Sequence, residues 1–351
     1  MSRLAAQVVI PHNRPTLDVE EEQAALRVLR SAWLAQGREV AAFEDEFCAY
    51  LGLPPGHAVA VSSGSAALFL ALHVLDAKGK TVAFPAYACS SLRHAVALAG
   101  AQECLLDIAD EGSNVDVNAL KQQRQAMAIV PHLYGLPVDL SDLPDSIQVI
   151  EDCAQALGAR VMEQSVGLQG KVGVFSFYAT KLMTSGGQGG MVVSTDRALV
   201  DAVRDYIHFD QRQDDRRRFN FQMTDLQAAI GRVQLKKLPM FLQRREEIFQ
   251  QYQSVGLPML DVTDLRLEPV RFRGVLKTTS PTSLLAALVE QGIRAIVPLE
   301  EWEILGNPQN FPNAQRLARS TVSLPLYPTL SKQEVAHIVS TLMQWQQEQG
   351  S

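Results

Sequence analysis

Short apolar runs alternate with helix-patterned segments from residue 58 to residue 194, and this alternation restricts the fold more than any other feature. The runs AVAVSS, TVAFP, QECLLDI, AMAIVPHL, SIQVIEDC, GVFSFY and GGMVVST are strand-like, and SAALFLALHVL and SSLRHAVALAG between them have the length and apolar content of helices. Strand, helix, strand in this order predicts a mostly parallel sheet covered on both faces. Before it, Ala24, Ala25, Val28, Leu29, Ala32 and Trp33 recur at helical spacing from Asp18 to Trp33. Asp18 and Glu21 form a cap-like pair there, and Gly37 is the expected stop. A second helix is expected over Val40 to Leu51.

At Thr224 the pattern changes to one long helical stretch, TDLQAAIGRVQLKKL, which continues past Pro239 as MFLQRREEIFQQYQSVG. Strand-like RFRGVLKT, helix SPTSLLAALVEQGI ending near Gly292, and a last helix SKQEVAHIVSTLMQWQQEQ follow. With 351 residues the chain exceeds the size at which a single core usually divides. Two domains are expected, a large α/β domain over 1–245 and a smaller α+β domain over 246–351.

Composition narrows the partners. The chain carries 32 Lys plus Arg against 38 Asp plus Glu, so no basic surplus exists to neutralise nucleic-acid phosphates or anionic lipid. Cys48, Cys89, Cys104 and Cys153 form no C-x-x-C pair, which argues against a zinc site or disulfide framework and for a reducing, cytoplasmic setting. The apolar stretch before Pro11 spans seven residues, too short for a secretory signal core, and no later run is long enough for a membrane span. A small-molecule ligand is expected.

The two commonest nucleotide-loop patterns, G-x-x-x-x-G-K-[ST] and a post-strand G-x-G-x-x-G, are absent. Three other features carry chemistry. VAVSSGSAALFLALHVL reads as strand, glycine turn and helix, placing the N–H groups around Gly64, Ser65 and Ala66 at the positive end of a helix dipole, where a phosphate binds. Its plainer reading is a simple serine cap. Asp152 follows Glu151 straight after an apolar run, at the carboxyl end of a strand, where parallel sheets gather ligand groups; the plainer reading is a turn cap. Lys181 follows FSFY in a turn that returns through GGQGG; a lone loop lysine is usually solvated, but one among apolar and aromatic residues can act as a nucleophile and form an imine. Pyridoxal phosphate needs all three together: a phosphate cradle, a lysine, and a carboxylate that keeps its ring nitrogen protonated.

With these features in place, the sequence resembles the fold-type-I pyridoxal phosphate enzymes of the DegT/DnrJ/EryC1/StrS group, the sugar aminotransferases. The resemblance rests on SAWLAQGREVAAFEDEFCAYLG, SSGSAAL, FPAY, HLYGLPVDL, VIEDCAQALGA, FSFYATK with GGQGG, LQAAIGRVQL and SLPLYPTL, in one order along nearly the whole chain. It implies an aspartate aminotransferase-like large domain with a seven-stranded, mostly parallel sheet. It also implies that Lys181 carries the cofactor, Asp152 partners the ring nitrogen, Gln155 donates near the ring hydroxyl, and Gly64, Ser65 and Ser176 hold the phosphate. Asn220 falls at the family's asparagine that reaches the phosphate of the neighbouring subunit, which implies a homodimer with shared active sites. The implied reaction moves an amino group, with glutamate as donor, to a keto carbon of a nucleotide-activated sugar.

Three positions depart from the family pattern. Cys89 stands where an aromatic residue usually covers the cofactor ring, with Tyr87 nearby; Gln222 stands where arginine is frequent; and a late histidine is replaced around Glu300. Arg216, Arg217 and Arg218 form a basic run that either meets the sugar's diphosphate or pairs with the preceding Asp214 and Asp215. Two other readings share the scaffold. A sugar 3-dehydratase would carry histidine in place of Lys181, and a non-catalytic regulatory protein would keep the cofactor without turnover.

Overall fold

The computed structural model describes residues 10–122 and 127–349. Most of the apolar stretch before Pro11 lies outside the described residues. Helices α1 (Val19–Ser31) and α2 (Arg38–Leu51) lead into β1 (Ala58–Val61), α3 (Gly64–Val74), β2 (Thr81–Pro85) and α4 (Ser91–Leu98). Next come β3 (Gln102–Leu106), α5 (Val117–Gln122), β4 (Met127–Pro131) and β5 (Gln148–Asp152). A small hairpin, β6 (Arg160–Val161) and β7 (Gln164–Ser165), precedes β8 (Val172–Ser176), β9 (Gly190–Val193) and α6 (Arg197–Ile207). The long helix α7 (Asp225–Gln253) is followed by β10 (Leu267–Glu268), β11 (Gly274–Lys277), α8 (Pro281–Glu290), α9 (Pro312–Arg319), β12 (Thr321–Leu324) and α10 (Lys332–Gln349).

Seven strands form one sheet in the order β1-β9-β8-β5-β4-β2-β3. The pairs β3·β2, β2·β4, β4·β5 and β5·β8 are parallel, whereas β9 runs antiparallel to both β8 and β1. Strands such as AVAV and MAIVP are buried at every position, as expected of a sheet covered on both faces. The Asp18–Glu21 capping box starts α1 as expected, but Gly37 does not stop it. Ala32 does, in a left-handed conformation (φ 58°), and Gly37 is instead the residue before α2, its N–H donating to Asp225 Oδ1. Among the described residues, no helix is long and apolar enough to cross a membrane.

The Thr224–Gln227 capping box opens α7, and Pro239 lies within it. Proline removes one backbone hydrogen bond from a helix interior. The two halves remain one helix because each is anchored in a core: Ala228, Leu235 and Leu238 pack below the large sheet, while Ile248, Phe249 and Tyr252 pack with β11, β12, α8 and α10. The 245/246 division therefore falls inside a continuous helix. Two segments cross it. Ile10 packs in the smaller core and exchanges backbone hydrogen bonds with Gly292 and Arg294, and Val270 and Phe272 pack in the core beneath the large sheet.

Arg245 sits at the junction, fully buried. Its Nη1 donates to the carbonyl of Leu326 at 2.7 Å and to those of Arg271 and Phe272 at 3.3 Å, and burial pulls its pKa down to about 9. Arg245→Ala would leave three buried carbonyls unpaired and a void between the cores. We expect a loss of roughly 3 kcal/mol of stability, read from urea denaturation; a change below about 0.5 kcal/mol would show that the clamp carries no load.

Candidate active site

The carboxyl ends of the parallel strands meet at one cavity, lined by Gly64, Ser65, Cys89, Asp152, Gln155, Ser176 and Lys181 among others. Seven of the eight residues singled out from sequence are thus brought together. The eighth, Asn220, is not among the lining residues; its Oδ1 accepts from the Gln222 N–H at 3.1 Å in the loop before α7.

The α3 end of the cavity is built by close backbone approach. Ser63 caps the helix, its Oγ accepting from the Ala66 N–H at 3.1 Å, which leaves the first-turn amides of Gly64 and Ser65 at the open end of the helix dipole. A Cβ at position 64 would lie 2.8 Å from Ser176 Cβ, and one at Gly190 would strike the Ser63 carbonyl. Glycine at 64 keeps this cradle open against β8. The cap reading and the phosphate reading of Ser-Gly-Ser are therefore compatible.

Asp152 is the last residue of β5. Its Oδ1 accepts from the Ala154 N–H at 3.0 Å, so it caps the turn while still facing the cavity. Burial holds its carboxyl above the ordinary aspartate range, against the opposing pull of that N–H and of the Lys181 charge. Its neighbour Glu151 points to the opposite face of the strand, where it accepts from His132 Nε2 and from the Gly167 and Gly170 N–H groups. Burial alone would raise its pKa; these donors outweigh burial and hold it ionised. Because His132 Nδ1 accepts from the Val138 N–H, its proton resides on Nε2, toward Glu151.

Lys181 lies in the loop joining β8 to β9, its N–H donating to the Tyr178 carbonyl at 2.9 Å. The loop is pinned by Phe177 N–H to the Gly189 carbonyl and by Asn13 Nδ2 to the Thr180 carbonyl. Nζ stands 5.2 Å from the centre of the Phe272 ring. Burial depresses the ammonium pKa, only partly opposed by Asp152, which makes a neutral, nucleophilic amine more accessible. Gln155 Oε1 accepts from the Tyr134 N–H at 2.8 Å, so its NH2 group is left to donate.

The departures from the family pattern resolve differently. Cys89 lines the cavity with an exposed thiol, 3.2 Å from Ser91 Oγ. Tyr87 does not replace the missing ring, because its side chain is buried away from the cavity with its hydroxyl 2.7 Å from that of Tyr134. Glu300 caps a short turn at Glu301–Glu303. In the basic run, Arg218 is taken by Asp214 at 2.6 Å and Asp205 at 3.3 Å, while Arg216 and Arg217 line a separate depression with His73 and Tyr206. Ser63, Ser91, His132 and Gln188 also line the cavity and were missed from sequence. His132 follows β4 as Asp152 ends β5, so the strand-end rule that picked out the aspartate applies to it as well.

An N-terminal helix cradle that a Cβ would fill, a buried carboxylate and a buried lysine facing one cavity fit pyridoxal phosphate. Relatives agree with that chemistry. The chain is 32% identical to the erythromycin biosynthesis sensory transduction protein EryC1 of Saccharopolyspora erythraea, over 92% of this chain and 94% of that protein. It is 30% identical to dTDP-3-amino-3,4,6-trideoxy-alpha-D-glucose transaminase of Streptomyces venezuelae, over 94% and 93% of the two chains. The crystal structure of the aminotransferase TlmJ from Streptoalloteichus hindustanus superposes with a TM-score of 0.89 at 26% identity, covering 97% of this chain and all of that one. The family described as DegT/DnrJ/EryC1/StrS aminotransferases matches residues 15–343, and the chain belongs to that family.

Proposed function

We propose that this aminotransferase uses pyridoxal phosphate to move an amino group from L-glutamate to a keto carbon of a nucleotide-activated sugar, in the cytoplasm, as a homodimer with shared active sites. The observation that carries the cofactor reading is the single cavity faced by Gly64, Ser65, Asp152 and Lys181. Relatives named for nucleotide-linked sugars, such as the dTDP-sugar transaminase, support the acceptor class. Exposed Leu26, Leu29, Trp33 and Leu34 at one end of α1 support a partner copy.

When bound, the cofactor supplies an electron sink for the pair left by a broken Cα–H bond. The amides of Gly64 and Ser65, with Ser176, hold its phosphate at the helix N-terminus. Asp152 holds a proton at the ring nitrogen, and the Gln155 NH2 donates toward the ring hydroxyl. Lys181 Nζ, kept weakly basic by burial, takes the proton from the donor's Cα. Arg216 and Arg217 are the members of the basic run left to meet a diphosphate, since Arg218 is paired.

Incubating the protein with the cofactor, glutamate and a panel of nucleotide keto-sugars, with 2-oxoglutarate followed by mass spectrometry, tests donor and acceptor together. A cofactor-loaded protein without 2-oxoglutarate formation favours the non-catalytic reading, and dehydration of the sugar favours the dehydratase, against which Lys181 stands.

Borohydride reduction of the holoenzyme followed by peptide mapping should place the covalent label on Lys181; a label on another lysine removes its assignment. Asp152→Asn should retain cofactor and lose at least about a hundred-fold in rate, near 2.7 kcal/mol. The same variant has a second signature in the cofactor-free protein. Asp152 ionises less readily folded than unfolded, so its cost to stability grows as pH rises from the ordinary value of 3.8 through the raised folded value. Asparagine carries no such cost, and cofactor-free Asp152→Asn should melt above wild type at neutral pH. A lower melting point would assign Asp152 to the turn alone.

Asn220 is proposed to act in trans. Lys181→Ala and Asn220→Ala chains, each inactive alone, should recover roughly a quarter of wild-type activity on mixing, because half of randomly re-associated dimers hold one intact site. No recovery despite exchange between differently tagged chains would refute the shared site.

A further inference from the structure

A cation beside Lys181, Arg273, has no carboxylate in ion-pair contact, although the charge of Glu303 reaches it. Arg273 immediately precedes β11, and its Cζ lies 5.6 Å from the centre of the same Phe272 ring that Lys181 Nζ approaches at 5.2 Å. The partners of its Nη1 are neutral: His12 Nε2 at 3.3 Å and Ser323 Oγ at 3.5 Å. Burial together with the charges of Arg273 and Arg294 drives the His12 pKa down to about 3, so the imidazole accepts a hydrogen bond but offers no charge. Arg273 Nε is buried without any partner, and among the described residues no carboxylate forms an ion pair with this guanidinium. Neighbouring Arg271, by contrast, is paired with both Glu246 and Asp261.

A buried guanidinium held only by neutral groups is costly, yet the backbone that carries it is firmly fixed. Arg245 clamps the Phe272 carbonyl, and the Phe272 N–H donates to the Tyr134 carbonyl at 3.2 Å, in the turn whose N–H orients Gln155. The residue is half-buried rather than sealed, and it is not among the residues that line the cavity.

We propose that Arg273 binds the α-carboxylate of the amino donor. This rests on the aminotransferase reading and extends it to the donor subsite. A donor amino acid carries its carboxylate on the reacting carbon itself, one bond from the amine, and so requires a fixed cation near the lysine. The acceptor's diphosphate is separated from the keto carbon by the sugar ring. Sharing one aromatic ring with Lys181 suits Arg273 to the nearer anion. Its charge also opposes protonation of Lys181 until the carboxylate arrives.

The test uses holoenzyme in two separated half-reactions. Conversion of the cofactor by glutamate is followed by absorbance without acceptor, and the amine-loaded enzyme is then mixed with nucleotide keto-sugar. Binding of 2-methylglutamate, which has no α-proton to lose, reports affinity without turnover. Arg273→Gln should weaken glutamate and 2-methylglutamate by about ten- to a hundred-fold, with a much smaller effect on the acceptor half-reaction. Arg273→Lys should recover part of the loss. Without donor, Arg273→Met should melt at or above wild type, since removing an uncompensated charge relieves its burial.

Unchanged donor affinity in Arg273→Gln overturns the proposal. A loss confined to the acceptor half-reaction assigns the arginine to the diphosphate and overturns it as well. Losses in both halves with a lowered melting point in Arg273→Met give it a structural role, again overturning the proposal. If wild-type holoenzyme binds 2-methylglutamate but glutamate never converts the cofactor, the transamination reading falls, while a ten-fold or greater loss of that binding in Arg273→Gln would still support the carboxylate site.

Discussion

The direction of β9 governs the site. Every crossover through α3, α4 and their neighbours returns the chain to the amino edge of the sheet, so the parallel strands end at one rim. β9 runs back against β8 instead, and the loop between them turns at the carboxyl rim. Lys181 is therefore delivered to the rim at which β5 ends in Asp152 and α3 begins. The same strand separates β8 from β1, and Gly190 at its start lets the Ser63 carbonyl sit against it. A side chain there would push α3 away from Ser176. One antiparallel strand thus determines both the lysine's position and the width of the phosphate cradle.

Around that rim the protein holds ionisable groups in opposed states. Glu151 and Asp152 are adjacent and both buried, yet four donors surround Glu151 and one backbone N–H serves Asp152. The first is a structural anion tied to His132; the second is held above its ordinary range and gains its compensation when a cation is placed beside it. Lys181 and Arg273 show the complementary imbalance, two cations with too little negative charge near them. Arg232 is paired between Glu39 and Glu46, whereas the buried guanidinium of Arg245 is held by three carbonyls at the junction and that of Arg273 by His12 and Ser323.

Legibility in the sequence followed distance along the chain. The strands could be read because each is apolar at nearly every position, and Asp152, Lys181 and Gly64 because each adjoins a strand end. Gly37 was misread as a helix stop because the true stop, Ala32 in a left-handed conformation, has no residue-type signature. Val270 and Phe272 look like part of the smaller domain and pack in the other core, since their backbone partners, Gly135 and Tyr134, lie far back in the sequence. Arg273 was invisible for the same reason. Its lack of an ion-pair partner is a property of what packs around it, and no local pattern encodes that.

The segment from Val270 to Leu276 crosses from one core to the other within seven residues, with Phe272 beneath the large sheet and Leu276 in the smaller core. Arg273 lies on the crossing, at a seam between packed units of the kind that favours ligand sites. The N-terminal segment meets it there: Ile10 belongs to the smaller core, His12 accepts from Arg273, and Asn13 donates to the Thr180 carbonyl beside Lys181. The large sheet positions the lysine, but the Phe272 ring set against its amine comes from a stretch that the smaller core anchors. Desolvation of Lys181, the largest influence on its basicity, therefore depends on the seam staying closed. Reactivity at the lysine and recognition of an anion at Arg273 are coupled through one rigid crossing, because a displacement that opened the seam would hydrate the amine and shift the guanidinium together.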